Sequence, residues 1–131
     1  MDMENKKIII IDDDDRNIFA LKAVLKAKGY NCVAATSAGE GLEILQQNND
    51  IGIALIDMMM PGMDGYQMIS AIKKIPALNE LPLIAVTAQA MLGDKEKCLA
   101  MGADDYVAKP INVDLLLKIL NKYLTDDVSI K

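Results

Sequence analysis

The chain contains no histidine. That absence excludes Ser-His-Asp catalysis, histidine-ligated zinc and any phosphohistidine carried by this chain. Cysteine is scarce: Cys32 and Cys98 lie far apart, form no C-x-x-C pair, and read as buried free thiols. No apolar run approaches the ~20 residues of a membrane span, and the polar, mixed-charge start does not resemble a signal peptide. No membrane association and a cytoplasmic address are therefore expected. Positive charge is in deficit, with a net charge of −5 and a pI near 4.6. That argues against nucleic acid, whose phosphates require a basic face. Linkers and low-complexity segments are missing too. What remains is 131 residues, 52% apolar and 25% charged, the profile of one globular domain with a real core.

Within that frame, four short apolar runs each end in a polar residue. Ile8–Ile11 leads into Asp12 and Asp13, and Ile53–Ile56 into Asp57. Leu83–Val86 leads into Thr87, and Tyr106–Ala108 into Lys109 and Pro110. Continuous apolar runs are the mark of parallel strands buried on both faces. With a further run near Asn31, strand starts near Ile8, Asn31, Ile53, Leu83 and Asp105 are 22 to 30 residues apart, which is βαβ spacing. The expected fold is α/β: a doubly wound, five-stranded parallel sheet with helices on both faces.

Helix punctuation fills the gaps. Asp15 is placed to cap a helix through Lys28, with Gly29 past its end. Ser37 and Glu40 have capping-box spacing, as do Asp64 and Gln67 before a helix to about Lys74. A further helix is expected from about Met91 to Met101, stopped by Gly102. The last starts after Asn112, with Leu116, Leu117, Leu120, Tyr123 and Leu124 forming its apolar stripe.

Open α/β sheets place their sites at the carboxyl ends of the strands, so Asp12, Asp13, Asp57, Thr87 and Lys109 should converge there. Each has a plain alternative. The acids 12–15 suit a helix start, with Asp14 solvated; Asp57 suits a turn; Thr87 suits a cap or the core; Lys109 suits solvent. Yet Asp57 precedes a long apolar loop fixed by Pro61 and Gly62, which would hold its carboxylate rigidly. Three clustered acids repel one another and call for a cation. Mg²⁺ fits best, since it takes hard oxygen ligands and commonly bridges a carboxylate or two and a phosphate. The Lys109–Pro110 bond is a candidate cis peptide.

The segments IIIIDDDD, ALIDMMMPGMDG, LIAVTAQA and GADDYVAKP, in that order, resemble the response-regulator receiver domain of two-component signalling. The resemblance covers about Lys7 to Leu124, leaving 125–131 as a tail of a single 1–131 domain. It implies a flavodoxin-like, CheY-like fold with five helices, and a phosphoryl group passed to Asp57 from a phosphohistidine on a histidine kinase or histidine phosphotransfer protein. By the same resemblance Asp13, Asp57 and the carbonyl of Met59 bind Mg²⁺ directly, and Asp12 acts mainly through a water. Lys109 contacts the phosphoryl oxygens, Thr87 hydrogen-bonds to one, and Tyr106 changes rotamer in response. The fourth helix, last strand and last helix would then present an altered face to a downstream protein. Met59 and Gln89 occupy positions that in this family influence how water reaches the acyl phosphate.

The expected protein is thus a switch that catalyses its own phosphorylation and dephosphorylation, without a turnover substrate, as a monomer or a weak phosphorylation-dependent dimer. Residues 15–21 look more like receivers of hybrid kinases and phosphorelays than chemotaxis ones. A stand-alone receiver and an excised part of a hybrid kinase both fit. A small Mg²⁺-dependent phosphatase is the rival enzyme, because Asp12-Asp13-Asp14 contains an Asp-x-Asp motif. Arg16-Asn17 stands where that class has Thr or Val, no cap domain is present, and Gly93-Asp94 lacks a matching acid motif. A pure interaction module is disfavoured because all five site positions are retained.

Overall fold

The computed structural model describes residues 6–60, 62–88 and 94–124. Five strands, β1 (Lys7–Ile11), β2 (Asn31–Ala35), β3 (Ile51–Asp57), β4 (Leu83–Thr87) and β5 (Asp105–Ala108), form one parallel sheet in the order β2-β1-β3-β4-β5. Five helices connect or follow them: α1 (Asp15–Ala27), α2 (Ala38–Gln47), α3 (Gly65–Lys73), α4 (Asp94–Ala100) and α5 (Val113–Leu124). A 3-10 turn, Pro76–Leu78, lengthens the connection from α3 to β4 and accounts for the widest strand spacing.

The alternation of each strand sorts its side chains between two cores. Ile9, Ile11, Ala54 and Ile56 pack with Leu45 of α2, Met68, Ile69 and Ile72 of α3, and Cys98 of α4. Ile8, Ile10, Ile53 and Leu55 pack on the other face with Leu21 and Leu25 of α1 and Leu116 and Leu120 of α5. Both faces are covered, which is why β1 can be four isoleucines in a row.

Several boundaries differ from expectation for identifiable reasons. β3 begins at Ile51, not Ile53: the register runs Lys7↔Ile51 and then Ile8↔Ile53, so Gly52 is the extra residue of a bulge. A Cβ on Gly52 would come within 2.8 Å of Lys6 and 2.9 Å of Leu124, so a larger residue there would force both side chains to shift. Asp14, not Asp15, caps α1: its carboxylate accepts from the backbone N–H of Arg16 at 2.9 Å and of Asn17 at 3.4 Å. Asp14 is thus a cap rather than a merely solvated acid, and Asp15 is the first helical residue. At α2, Ser37 accepts from the Glu40 N–H, but Glu40 answers to Thr36 instead of Ser37, so the box is shifted by one residue. The reciprocal box forms fully at Asp64 and Gln67. Asn112 caps α5 through the Leu115 N–H. The expected start of α4 near Met91 lies outside the described residues.

Candidate functional site

Because β1, β3, β4 and β5 are consecutive neighbours in the sheet, their carboxyl ends deliver Asp12, Asp57, Thr87 and Lys109 to one edge. The strand order reverses between β1 and β3, the crevice where open α/β sheets bind ligands. Asp12, Asp57 and Thr87 are the buried polar residues of the described chain, at 3%, 4% and 2% exposure, whereas Asp13 is exposed.

Asp12 is held from both sides. One oxygen accepts the Asp14 N–H at 2.9 Å and the other accepts the Asn17 side-chain amide. Asp57 accepts the Met59 N–H at 3.0 Å. Lys109 lies between the two acids, with Nζ 3.7 Å from Asp12 and 3.5 Å from Asp57. Its own backbone N–H bonds the Thr87 carbonyl at 2.8 Å, which ties β5 to β4 at the site, and the Lys109–Pro110 peptide is cis. Lys109 is therefore ion-paired rather than simply solvated.

The loop after β3 is folded back tightly. Met58 N–H bonds the Val86 carbonyl at 2.9 Å, and Met58 and Met60 are buried while Met59 points outward at 54% exposure. A Cβ on Gly65 would stand 2.6 Å from the Met58 backbone, so the glycine lets the start of α3 press on this loop. Pro61 and Gln89 lie outside the described residues.

Burial raises the Asp57 carboxyl above the usual carboxylate range; the Met59 N–H opposes this, the Asp12 charge adds to it, and Lys109 opposes it. Asp12, Asp13 and Asp57 can each offer one carboxylate oxygen, all within 4.8 Å of one another. These are hard donors crowded with like charge, and they fit a small divalent cation far better than a soft one.

Tyr106 is half-buried on β5, in register with Ala85 of β4, and packs in the same core as Ala85. Thr87 is two residues beyond Ala85, so Thr87 and Tyr106 share one face of the sheet. The sequence pattern does not single out Asn17. Its one signal is an amide five residues after Asp12, in the first turn of α1. Gly65 reads from the sequence only as part of a helix start, because close approach to Met58 is not written in local spacing.

A family model of the response regulator receiver domain matches residues 8–121. The chain is 36% identical over 135 residues to hybrid signal transduction histidine kinase I of Dictyostelium discoideum, covering 95% of this chain but 8% of that protein. It is 30% identical over 121 residues to the polar-differentiation response regulator DivK of Brucella abortus, covering 92% of this chain and 98% of that one. A solved receiver domain of a Pseudomonas aeruginosa sensor histidine kinase, with a magnesium ion coordinated in its active-site cleft, superposes with a TM-score of 0.83 at 28% identity. That superposition covers 92% of this chain and 98% of the neighbour.

Proposed function

The chain belongs to the response regulator receiver domain family of two-component signalling, and from that premise we propose that Asp57 is its phosphoacceptor. In the reaction, an Asp57 carboxylate oxygen attacks phosphorus, the P–N bond of a partner's phosphohistidine breaks, and the released imidazole takes up a proton. A histidine kinase or histidine phosphotransfer protein is the donor. The observation that carries this reading is the placement of Asp57: buried at the end of the central strand, held by the Met59 N–H, with Lys109 at 3.5 Å. Aspartate is an established nucleophile of this kind.

The Asp12, Asp13 and Asp57 carboxylates, with the Met59 carbonyl, would hold Mg²⁺. When bound, the ion supplies positive charge to the equatorial oxygens of the transferred group. Lys109 would supply positive charge as well, and it offsets part of the repulsion between Asp12 and Asp57 in the resting protein. Asn17 orients Asp12. Thr87 donates to the arriving phosphoryl group, and Tyr106, on the same sheet face, moves into the space released. The α4-β5-α5 face changes accordingly and regulates a protein partner. Residues 1–131 act as one receiver domain with its core over 7–124, either stand-alone or as part of a larger kinase. No described helix is long and apolar enough to cross a membrane.

Incubation with acetyl phosphate and Mg²⁺ should add one phosphoryl group to the intact mass, labile to base and to hydroxylamine. Asp57→Asn should abolish it. A base-stable adduct, or one that survives in Asp57→Asn, refutes the assignment. With beryllofluoride, Thr87→Ala should bind at Asp57 yet fail to shift amide resonances around Tyr106 and α5; a full wild-type pattern would disprove the coupling.

A further inference from the structure

The only phenylalanine of the chain, Phe19, is 76% exposed in α1. Lone exposed apolar residues are common and need no account. Phe19, however, stands with Ala23, Tyr30 and Cys32 around a groove of about 590 Å³ between α1 and the sheet-edge strand β2. That volume is within the range of sites that seat a side chain or small molecule. Burial pushes the Cys32 thiol up to about 11, against a smaller opposing effect of Lys22, so it lines the groove as an apolar group.

The rim is cationic. Lys22 and Lys26 follow Phe19 at i+3 and i+7, on the same side of the helix, and Lys7 closes the groove at the start of β1. Lys7 is paired with Asp50 at 3.2 Å, whereas Lys22 and Lys26 have no ion-pair partner among the described residues. This runs against a chain of net charge −5. Lys7 and Asn31 begin their strands, so the groove opens toward the amino end of the sheet, away from Asp57.

We infer that the α1–β2 groove docks an acidic segment of a partner protein, with an aromatic or aliphatic anchor seated against Phe19 and Tyr30 and its flanking carboxylates meeting Lys22 and Lys26. A second copy of the chain is the poorer occupant, because a two-fold pairing of this face would set lysine against lysine. Since the groove faces away from Asp57, occupancy is compatible with either phosphorylation state. The inference stands independently of the phosphoacceptor assignment.

The test is an NMR titration with a short synthetic peptide carrying tryptophan and leucine between glutamates. Two control peptides replace the glutamates by glutamine, or the tryptophan and leucine by alanine. Saturable amide shifts confined to α1 and β2, half-complete below about 1 mM, are expected. Phe19→Ala and the double variant Lys22→Glu, Lys26→Glu should each weaken binding about tenfold or more, and salt should weaken it further. Both variants change exposed side chains, and their amide resonances outside α1 and β2 should match the parent, which certifies the fold. Absence of saturable shifts there, indifference to Phe19→Ala, or equal binding of the glutamine peptide would overturn the inference. So would tighter binding to phosphatidylglycerol vesicles or to a single-stranded oligonucleotide.

Discussion

At the amino end of the sheet, Lys7 and Asp50 pair at 3.2 Å with side chains 38% and 42% exposed. At the carboxyl end of the same strands, the Asp12 and Asp57 side chains are both 4% exposed, carry like charge, and share one lysine. The first arrangement is an ordinary surface ion pair, contributing little in water. The second costs free energy to assemble: two carboxylates are desolvated together, and one ammonium offsets them only in part. The contrast shows where the fold has given up stability. The strands are packed to make a rigid frame, and one end of that frame holds buried like charge that Lys109 offsets only in part.

The largest expected effect on stability follows from removing the shared cation. Lys109→Ala should destabilise the metal-free protein by about 1 to 3 kcal/mol, since it leaves two buried acids uncompensated, and Mg²⁺ should restore part of the loss. Urea unfolding with and without Mg²⁺ measures this. An unchanged midpoint would break the contrast between the two ends, whatever happened to phosphorylation.

Next, the acid run should divide by role. Asp13→Ala should weaken Mg²⁺ binding by about tenfold or more, equivalent to about 1.4 kcal/mol. Asp14→Ala should leave Mg²⁺ affinity intact but cost about 1 kcal/mol of stability, because Asp14 caps α1. A magnesium titration by NMR alongside thermal unfolding separates the two. Equal damage to metal binding from both would contradict the assignment.

Asp57 itself should report the cost of the carboxyl end. Its pKa in the folded state is raised by burial above the unfolded value, so the ionised form is penalised at neutral pH. The penalty disappears as pH falls through the raised folded-state pKa toward the unfolded one. Asp57→Asn should therefore be more stable than the parent by about 1 kcal/mol at pH 7 in metal-free buffer, with the advantage shrinking on acidification through that interval. Unfolding at a series of pH values checks it; a constant difference would sink the electrostatic explanation. Smallest of all, Lys7→Ala should change stability by less than about 0.5 kcal/mol, as befits a half-exposed pair.

The sequence by itself determined much of this. Apolar runs that both faces of a sheet must bury, spaced for βαβ connections, specify the fold class, the five strands and which polar residues stand at strand ends. Asp64 and Gln67 announce their capping box correctly because both partners lie within one turn. Local spacing is less reliable where a group has a competing partner: Glu40 bonds Thr36 rather than Ser37, and the cap of α1 is Asp14 rather than Asp15. The chemistry of a capping residue is a property of sequence; which of several acids takes the position depends on where the strand before it ends.

What only the tertiary structure decided is the set of relations across strands and loops. Asp12 and Asp57 are 45 residues apart in the chain, and their shared burial and the insertion of Lys109 between them exist only once β1, β3, β4 and β5 are in register. The same holds for Gly52, whose bulge resets β3, and for Gly65, which must lack a side chain because Met58 folds back on it. Residue type and period specify which groups can be buried and which element carries them. Desolvation, like-charge repulsion and close packing depend on distances that arise only when those elements meet.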